Sequence, residues 1–360
     1  MKIAVYTIAK NEAQHVGRWA HSCQEADYRL ILDTGSTDDT IAIAQYFNVP
    51  VARKVFDPWR FDDARNHALE LLPEDVDLCI ALDMDEVLKE GWREHLERVP
   101  AGTTRPRYKY VWSWNDDGSE GLTYGGDKIH ARHGYKWKHP VHEVIHAVGI
   151  TEEQYWCEGL EIHHHPDPTK SRGQYFDLLK LAVEESPNDD RNQFYLAREY
   201  FFHGEHGLAQ YHFSKFLKLS LWKPERAAAY RYLAKMRPAA RQSLLYKAIV
   251  EDPNRRESWF DLAQFYYANQ DWAGVKAACV MMFRVTEKPL DYLCESDPWG
   301  WQPHDLMALA SWNLKEYDQA IHHGSAASMM RPDDDRLKKN LEWYYSEVTK
   351  TERIDNVSQG

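Results

Sequence analysis

The strongest constraint on the fold is an alternation in the first hundred residues between short β-branched, apolar runs and amphipathic stretches of helical period. "KIAVYTI" (2–8), "YRLILD" (28–33), "VPVARKVF" (49–56) and "DLCIALD" (77–83) read as strands. Between them lie a helical segment from about Glu12 to Cys23, "TIAIAQYF" preceded by the capping residues of "STDDT", and "FDDARNHALELL" (61–72) with Asp62 or Asp63 near its start. Strands that alternate with helices need crossover connections. They predict an α/β domain built on a mainly parallel, Rossmann-like sheet, with ligands bound at the carboxyl ends of the strands. From about residue 104 to 165 the helical period fades, and β-rich pieces ("YKYVW", "HPVHEVIHAV", "LEIHHH") alternate with Gly-rich turns.

Beyond about residue 172 the pattern is wholly helical and repeats itself. "YLAREYFFHGEHGLAQ" (195–210), "WFDLAQFYYANQDWAGV" (259–275) and "DLMALASWNLKEYDQAI" (305–321) follow one template. Each has a small residue (Ala197, Ala263, Ala308), an aromatic residue or Ser three positions later, a helix-breaking turn and a second helix. Ala229 fills the same position in a degenerate unit. The template resembles tetratricopeptide repeats, with "DYLCESDPWGWQP" inserted before the last unit. That resemblance implies an all-α domain offering a surface for a protein partner or a second copy of the chain. The expected division is an α/β domain over 1–168 and a helical repeat domain over 169–360.

A length of 360 residues suits two such domains. Net charge is -12, with 44 basic against 56 acidic residues, which disfavours a broad grip on nucleic acid. The five cysteines are odd in number and unpaired in spacing, and no run approaches the roughly 20 apolar residues of a membrane span. The expectation is a soluble, cytoplasmic protein.

Four elements sit at strand ends in order: "AKNE" (9–12), "DTGSTDDT" (33–40), the helix "FDDARNHAL", and "DMDE" (83–86). Their order and spacing resemble family-2 glycosyltransferases of GT-A fold. The resemblance implies a nucleoside-diphosphate sugar donor, with a uridine diphosphate sugar favoured, and a Mn²⁺ or Mg²⁺ cofactor to neutralise the leaving diphosphate. It further implies Asp83 and Asp85 at the metal, Asp83 also touching ribose, and Asp33 accepting a hydrogen bond from the base. Thr7, Ala9, Asn11 and Glu12 would line the first strand's exit, and Arg65 would close the nucleotide pocket. Glu86 is expected to support the metal ligands from behind or to be structural. The acceptor (glycan, protein, small molecule or modified nucleobase) stays open.

"EIHHHPDPTKSR" (161–172) supplies further candidates, since borderline cations accept imidazole. In a strand His163 and His165 share one face and His164 takes the other. His165, then His163, is the expected metal ligand, with Lys170 and Arg172 placed to neutralise phosphate.

"HPVHEVIHAVGITE" (139–152) contains H-E-x-x-H, the zinc-protease spacing, which needs a helix to bring both imidazoles to one metal. Pro140 and the β-branched Val141, Val144 and Ile145 argue instead for extended chain. There His142 and His146 would stand about 13 Å apart. "WKHPVHEVI" resembles a segment of family-2 enzymes fused to helical repeats. It makes Glu143 the expected base of an inverting transfer, with His142 orienting it or touching the sugar. Asp116 and Asp117 are rivals on what reads as a hairpin tip. The competing readings are a non-catalytic scaffold, a nucleotidyltransferase (for which "IAKNEAQ" lacks the Gly- and Lys/Arg-rich loop) and the zinc protease.

Overall fold

The computed structural model describes residues 1–115, 117–167, 173 and 175–358, with side chains described as far as residue 348. It divides into two compact units, Met1–Asn192 with Leu290–Tyr292, and Gln193–Pro289 with Leu293–Gly360.

The first unit begins β1 (Ile3–Ala9), α1 (Ala13–Ser22), β2 (Tyr28–Asp33), α2 (Thr40–Tyr46), β3 (Val51–Arg53), α3 (Phe61–Glu70) and β4 (Leu78–Ala81). It continues with β5 (Glu86–Leu88), α4 (Trp92–Glu97), β6 (Arg105–Val111), β7 (Thr123–Gly126), β8 (Ile129–Ala131), β9 (Tyr135–Lys138), β10 (Val144–Ala147), β11 (Gln154–His164) and α5 (Tyr175–Glu185). The main sheet runs β3-β2-β1-β4-β8. Its first four strands are parallel, and β8 closes the edge antiparallel to β4. Alternate residues of β1 serve two cores, as a sheet covered on both faces requires. Ile3 and Val5 pack with Val16 and Trp19 of α1, whereas Ala4 and Tyr6 pack with Ala68 of α3 and Trp137 of β9. The chain reverses winding between β1 and β4, so the crevice at their carboxyl ends is the switch point where such sheets bind ligands.

Apart from β8, the later β-rich stretch forms, with β5, a second sheet β5-β11-β6-β7, and the β9–β10 hairpin. The expected third strand shrinks to three residues, Val51–Arg53, because Pro50 and the Asp57–Pro58 turn bracket it. Segment 142–146 does not form a helix. His142 lies in the left-handed region (φ 49°) ahead of β10, and only residues from Val144 onward pair with β9. This removes the helical face that a zinc-protease site requires.

The second unit contains α6 (Asp190–Phe202, entered from the first unit), α7 (His206–Leu219), α8 (Lys223–Met236), α9 (Arg241–Glu251), α10 (Arg256–Ala268), α11 (Trp272–Arg284), α12 (Gln302–Asn313), α13 (Tyr317–Met330) and α14 (Asp335–Ser358). The template alanines Ala197, Ala229, Ala263 and Ala308 are all buried. The three recognisable repeats end their first helix alike. Gly204, Gln270 and Lys315 take left-handed φ of 77°, 56° and 62°. The next residue's N–H returns to the carbonyl of Tyr200, Tyr266 or Ser311, the residue three after the template alanine. This is the helix-terminating bond pattern that satisfies the last carbonyls, and its recurrence makes the units tetratricopeptide-like helical hairpins. No described helix is long and apolar enough to cross a membrane, and all five cysteines are free and buried.

Candidate active site

Two loops leave the ends of β1 and β2 and clasp each other. Asn11 donates its N–H to Ser36 Oγ (2.9 Å), and its Oδ1 accepts from Thr37 N (2.8 Å). Glu12 N–H reaches Thr40 Oγ1 (2.7 Å), and Ala13 N–H reaches Asp38 (3.1 Å). Asn11 adopts φ 57° to do this, a conformation asparagine tolerates. Asp33 ends β2 fully buried. Its carboxylate accepts from the N–H groups of Gly35 (3.2 Å) and Ser36 (3.1 Å), with Arg53 Nε at 3.4 Å. Asp33 thus builds an Asx-type turn. Thr7, Ala9 and Glu12 are also buried, and Lys10 and Asn11 are the exposed residues at this exit.

The end of β4 carries the charge. Asp83 accepts from Arg65 Nη2 at 2.7 Å and from Lys128 Nζ at 2.5 Å. Burial alone would raise its pKa, but Arg65 and Lys128 hold it well below the usual carboxylate range. Arg65, on the inward face of α3, also donates from Nε to Glu143 Oε1 at 2.5 Å, and its guanidinium lies 4.8 Å from the centre of the Trp137 ring. Glu86 is buried. It accepts from Lys128 (2.7 Å), Tyr110 OH (2.6 Å) and the Asp83 N–H (2.8 Å), and burial lifts its pKa above the ordinary value despite Lys128.

Asp85 lies on the other side of the turn, with its carboxylate 3.4 Å from His164 Nε2. Burial acts to raise the Asp85 pKa, and the hydrogen bond and charge of His164 together with Lys128 more than offset it, so the net shift is downward. His164 stacks on Trp112 (centroids 4.3 Å apart), and its Nδ1 lies 2.9 Å from Trp112 O. That contact assigns the Nδ1 proton and aims Nε2 at Asp85. His163 instead pairs with Glu161 (3.0 Å), and His165 lies parallel to the Trp114 ring. The face holding His163 and His165 therefore points away from Asp85. The His164 face points inward because Tyr110 and Trp112 cover it.

Asp83, Asp85, Glu86 and Glu143 gather around the two permanent cations Arg65 and Lys128. Among the described residues no three His, Cys, Asp or Glu side chains converge as an all-protein cage. Asp85 with His164 fits a hard or borderline divalent ion whose shell is completed by water and phosphate oxygens. The Nδ1 contact to a main-chain carbonyl is the usual support for a metal-binding imidazole. Asp83, with one oxygen on each of two cations, fits that role less well than the sequence suggests.

Glu143 meets this cluster through Arg65, while its Oε2 accepts no hydrogen bond among the described residues. His142 is turned to Tyr175 (ring centroids 6.2 Å) and does not approach Glu143 as an orienting partner. Asp117, a rival candidate for the base, accepts from the Ser119 N–H and hydroxyl at a hairpin tip. Lys170, Arg172 and Asp116 lie outside the described residues. Sequence reasoning missed Lys128. A lone lysine after a Gly-rich strand carries no pattern, and only the β4–β8 pairing brings it under "DMDE".

The fold and site define a doubly wound α/β unit with an acidic switch-point cluster, followed by tetratricopeptide-like hairpins. No protein-family model matches the sequence. Over 108 residues the chain is 32% identical to an uncharacterized glycosyltransferase of Rickettsia felis, a stretch covering 30% of this chain and 37% of that protein. Over 107 residues it is 29% identical to the lipopolysaccharide core biosynthesis glycosyltransferase LpsC of Rhizobium meliloti, covering 29% of this chain and 38% of LpsC. The chain thus spans less than two fifths of the length of these relatives. Among solved structures, YrrB, a TPR protein with an unusual peptide-binding site, overlaps 48% of this chain and 84% of its own at 14% identity and TM-score 0.39. So loose an overlap adds nothing to the repeat assignment, which rests on the hairpins themselves.

Proposed function

We propose that the chain is a divalent-cation-dependent, inverting glycosyltransferase of the family-2 kind. It moves a sugar from a nucleoside-diphosphate donor, uridine diphosphate by preference, to an acceptor hydroxyl. The observation that carries this reading is the carboxylate-rich turn after β4, at the switch point of the sheet, with Asp85 and His164 juxtaposed and Glu143 across Arg65. The limited identity to proteins named as glycosyltransferases supports it.

Asp85 and His164 would hold Mn²⁺ or Mg²⁺, which when bound neutralises the departing diphosphate. The 10–12 loop and the Asp33 turn would receive base and ribose. A base edge reaches the Asp33 carboxylate once Arg53 yields, since Arg53 is an exposed side chain. Lys128 and Arg65 keep Asp83 ionised and fixed, ready to accept hydrogen bonds from sugar hydroxyls. Glu143 takes the proton of the attacking hydroxyl at Oε2, while Arg65 fixes its position through Oε1. Lys170 and Arg172 remain candidates for phosphate contact, and the helical hairpins for a protein partner or a second copy.

A thermal-shift screen of nucleoside diphosphates with and without Mn²⁺ tests this directly. One diphosphate should raise Tm by several degrees only with the metal, as ligand at about 100 times its Kd stabilises by about 2.7 kcal/mol. No shift with any diphosphate refutes the donor assignment.

A further inference from the structure

A cleft of about 510 Å³ in the first unit is lined by Gln14, His15 and Arg18 of α1, Trp114 beyond β6, and His165 and Asp167 beyond β11. It adjoins the Asp85–His164 pair. His165 N–H donates to Asp85 O (2.8 Å), and Trp114 Nε1 donates to His164 O (3.2 Å). The volume suits a ligand of sugar size.

The cleft wall presents chemistry for which neither the metal pair nor the base has a use. Trp114 spends its only polar atom inward, so its exposed part is apolar ring, and 36% of the residue is open to solvent. Arg18 lies at the rim, with Nη2 against His15 Nδ1 (3.1 Å) and no ion pair among the described residues. Gln14 Nε2 donates to Asp167 (2.5 Å), setting a planar amide and a carboxylate side by side. Among the described residues that line the cleft, Arg18 is the permanent cation.

We propose that this cleft is a saccharide subsite for a sugar ring that carries an anionic substituent. The C–H face of the ring lies on Trp114, hydroxyls meet Gln14 and Asp167, and the anion meets Arg18. An aromatic face beside planar hydrogen-bonding groups suits a pyranose, which is apolar on its C–H face and polar around its rim. A guanidinium is the side chain that best matches a carboxylate or phosphate. Naming this sugar the acceptor, or the acceptor's neighbouring residue, rests on the proposed transferase reading. The binding itself does not.

Saturation-transfer NMR on the full chain, with methyl β-glucuronide, glucose 6-phosphate and methyl β-glucoside as probes, tests the subsite. At least one anionic probe should bind about tenfold more tightly than the glucoside, the worth of one charge-assisted contact. The glucuronide and phosphate arms separate carboxylate from phosphate recognition. Trp114→Ala should abolish transfer to the ring protons, and Arg18→Gln should remove the anionic preference while leaving weak binding. Both residues are at the surface, and circular dichroism verifies that the variants stay folded. No saturation of any probe in the wild type, or signals unchanged in Trp114→Ala, overturns the subsite. Equal binding of the glucoside overturns the role of Arg18. The nucleoside-diphosphate shift is read separately. If it fails while glucuronide still binds, the donor reading falls and the subsite stands.

Discussion

Asp83 and Glu143 share one guanidinium: Arg65 donates to Asp83 from Nη2 at 2.7 Å and to Glu143 from Nε at 2.5 Å. The arginine is 5% exposed. A single buried cation therefore sets the distance between the acidic turn after β4 and the carboxylate ahead of β10, two elements from different parts of the chain.

Arg65→Lys should fail to replace this bridge, because one ammonium lacks the rigid fork that addresses two carboxylates at once. Arg65→Met leaves Glu143 without its cation and Asp83 with Lys128 alone, and should cost about 3 kcal/mol in urea unfolding. A loss below about 1 kcal/mol would mean that the acids are held by other contacts.

Glu143→Gln keeps the side-chain shape and an oxygen for Arg65 while removing the basic lone pair. Turnover should fall by about 10²- to 10⁴-fold, with the nucleoside-diphosphate thermal shift unchanged. If that shift disappears as well, Glu143 acts through Arg65 on the donor pocket and is not the base.

Lys128 and Glu86 should be energetically coupled. Lys128→Met leaves Glu86 buried without its cation, and Glu86→Gln removes the charge that needs one. The double variant should therefore recover at least about 1 kcal/mol relative to the sum of the single losses in a denaturant cycle. Additive losses would contradict the pairing.

His130, on the edge strand β8 of the main sheet, is buried in a closed hydrogen-bond chain. Trp137 Nε1 donates to Tyr6 OH (2.8 Å), Tyr6 OH contacts His130 Nε2 (3.0 Å), and His130 Nδ1 contacts Ala131 O (2.8 Å). A second proton has no acceptor, and burial pushes the pKa down to about 3. The unfolded chain takes up that proton near pH 6.5 and the native state does not, so stability falls as pH drops from about 6.5 toward 3. Between pH 7 and 4 the wild type should lose about 3 kcal/mol more than His130→Gln, which cannot be protonated there. Parallel pH profiles would show that His130 accepts a proton in the native state.

The sheet, the helical repeats and the acidic turns were legible because period and strand-end chemistry are local. The template also marks the hairpin turns: its alanines are buried, and the carbonyls of the residues three later receive the terminating bonds. Strand parity separated His164 from His163 and His165, but choosing the face that meets Asp85 required knowing that Tyr110 and Trp112 lie beneath it. Lys128 was invisible for a similar reason. Its meaning comes from antiparallel pairing of β8 with β4, a non-local event. In "HEVIH" the β-branched residues correctly ruled out a helix. The left-handed turn at His142, which points its ring to Tyr175, had no sequence signal beyond the nearby Pro140.

The proposed role of Asp85, beside His164, is to make this chain a cation-dependent transferase of nucleotide-bound sugars. It is tested most directly by following release of nucleoside diphosphate from a panel of nucleoside-diphosphate sugars, with Mn²⁺ and with chelator, for the wild type and Asp85→Ala. The expected result is release from one donor that requires the metal and falls at least about 100-fold in Asp85→Ala. Release that persists in chelator and in Asp85→Ala, or no release from any donor, would contradict it.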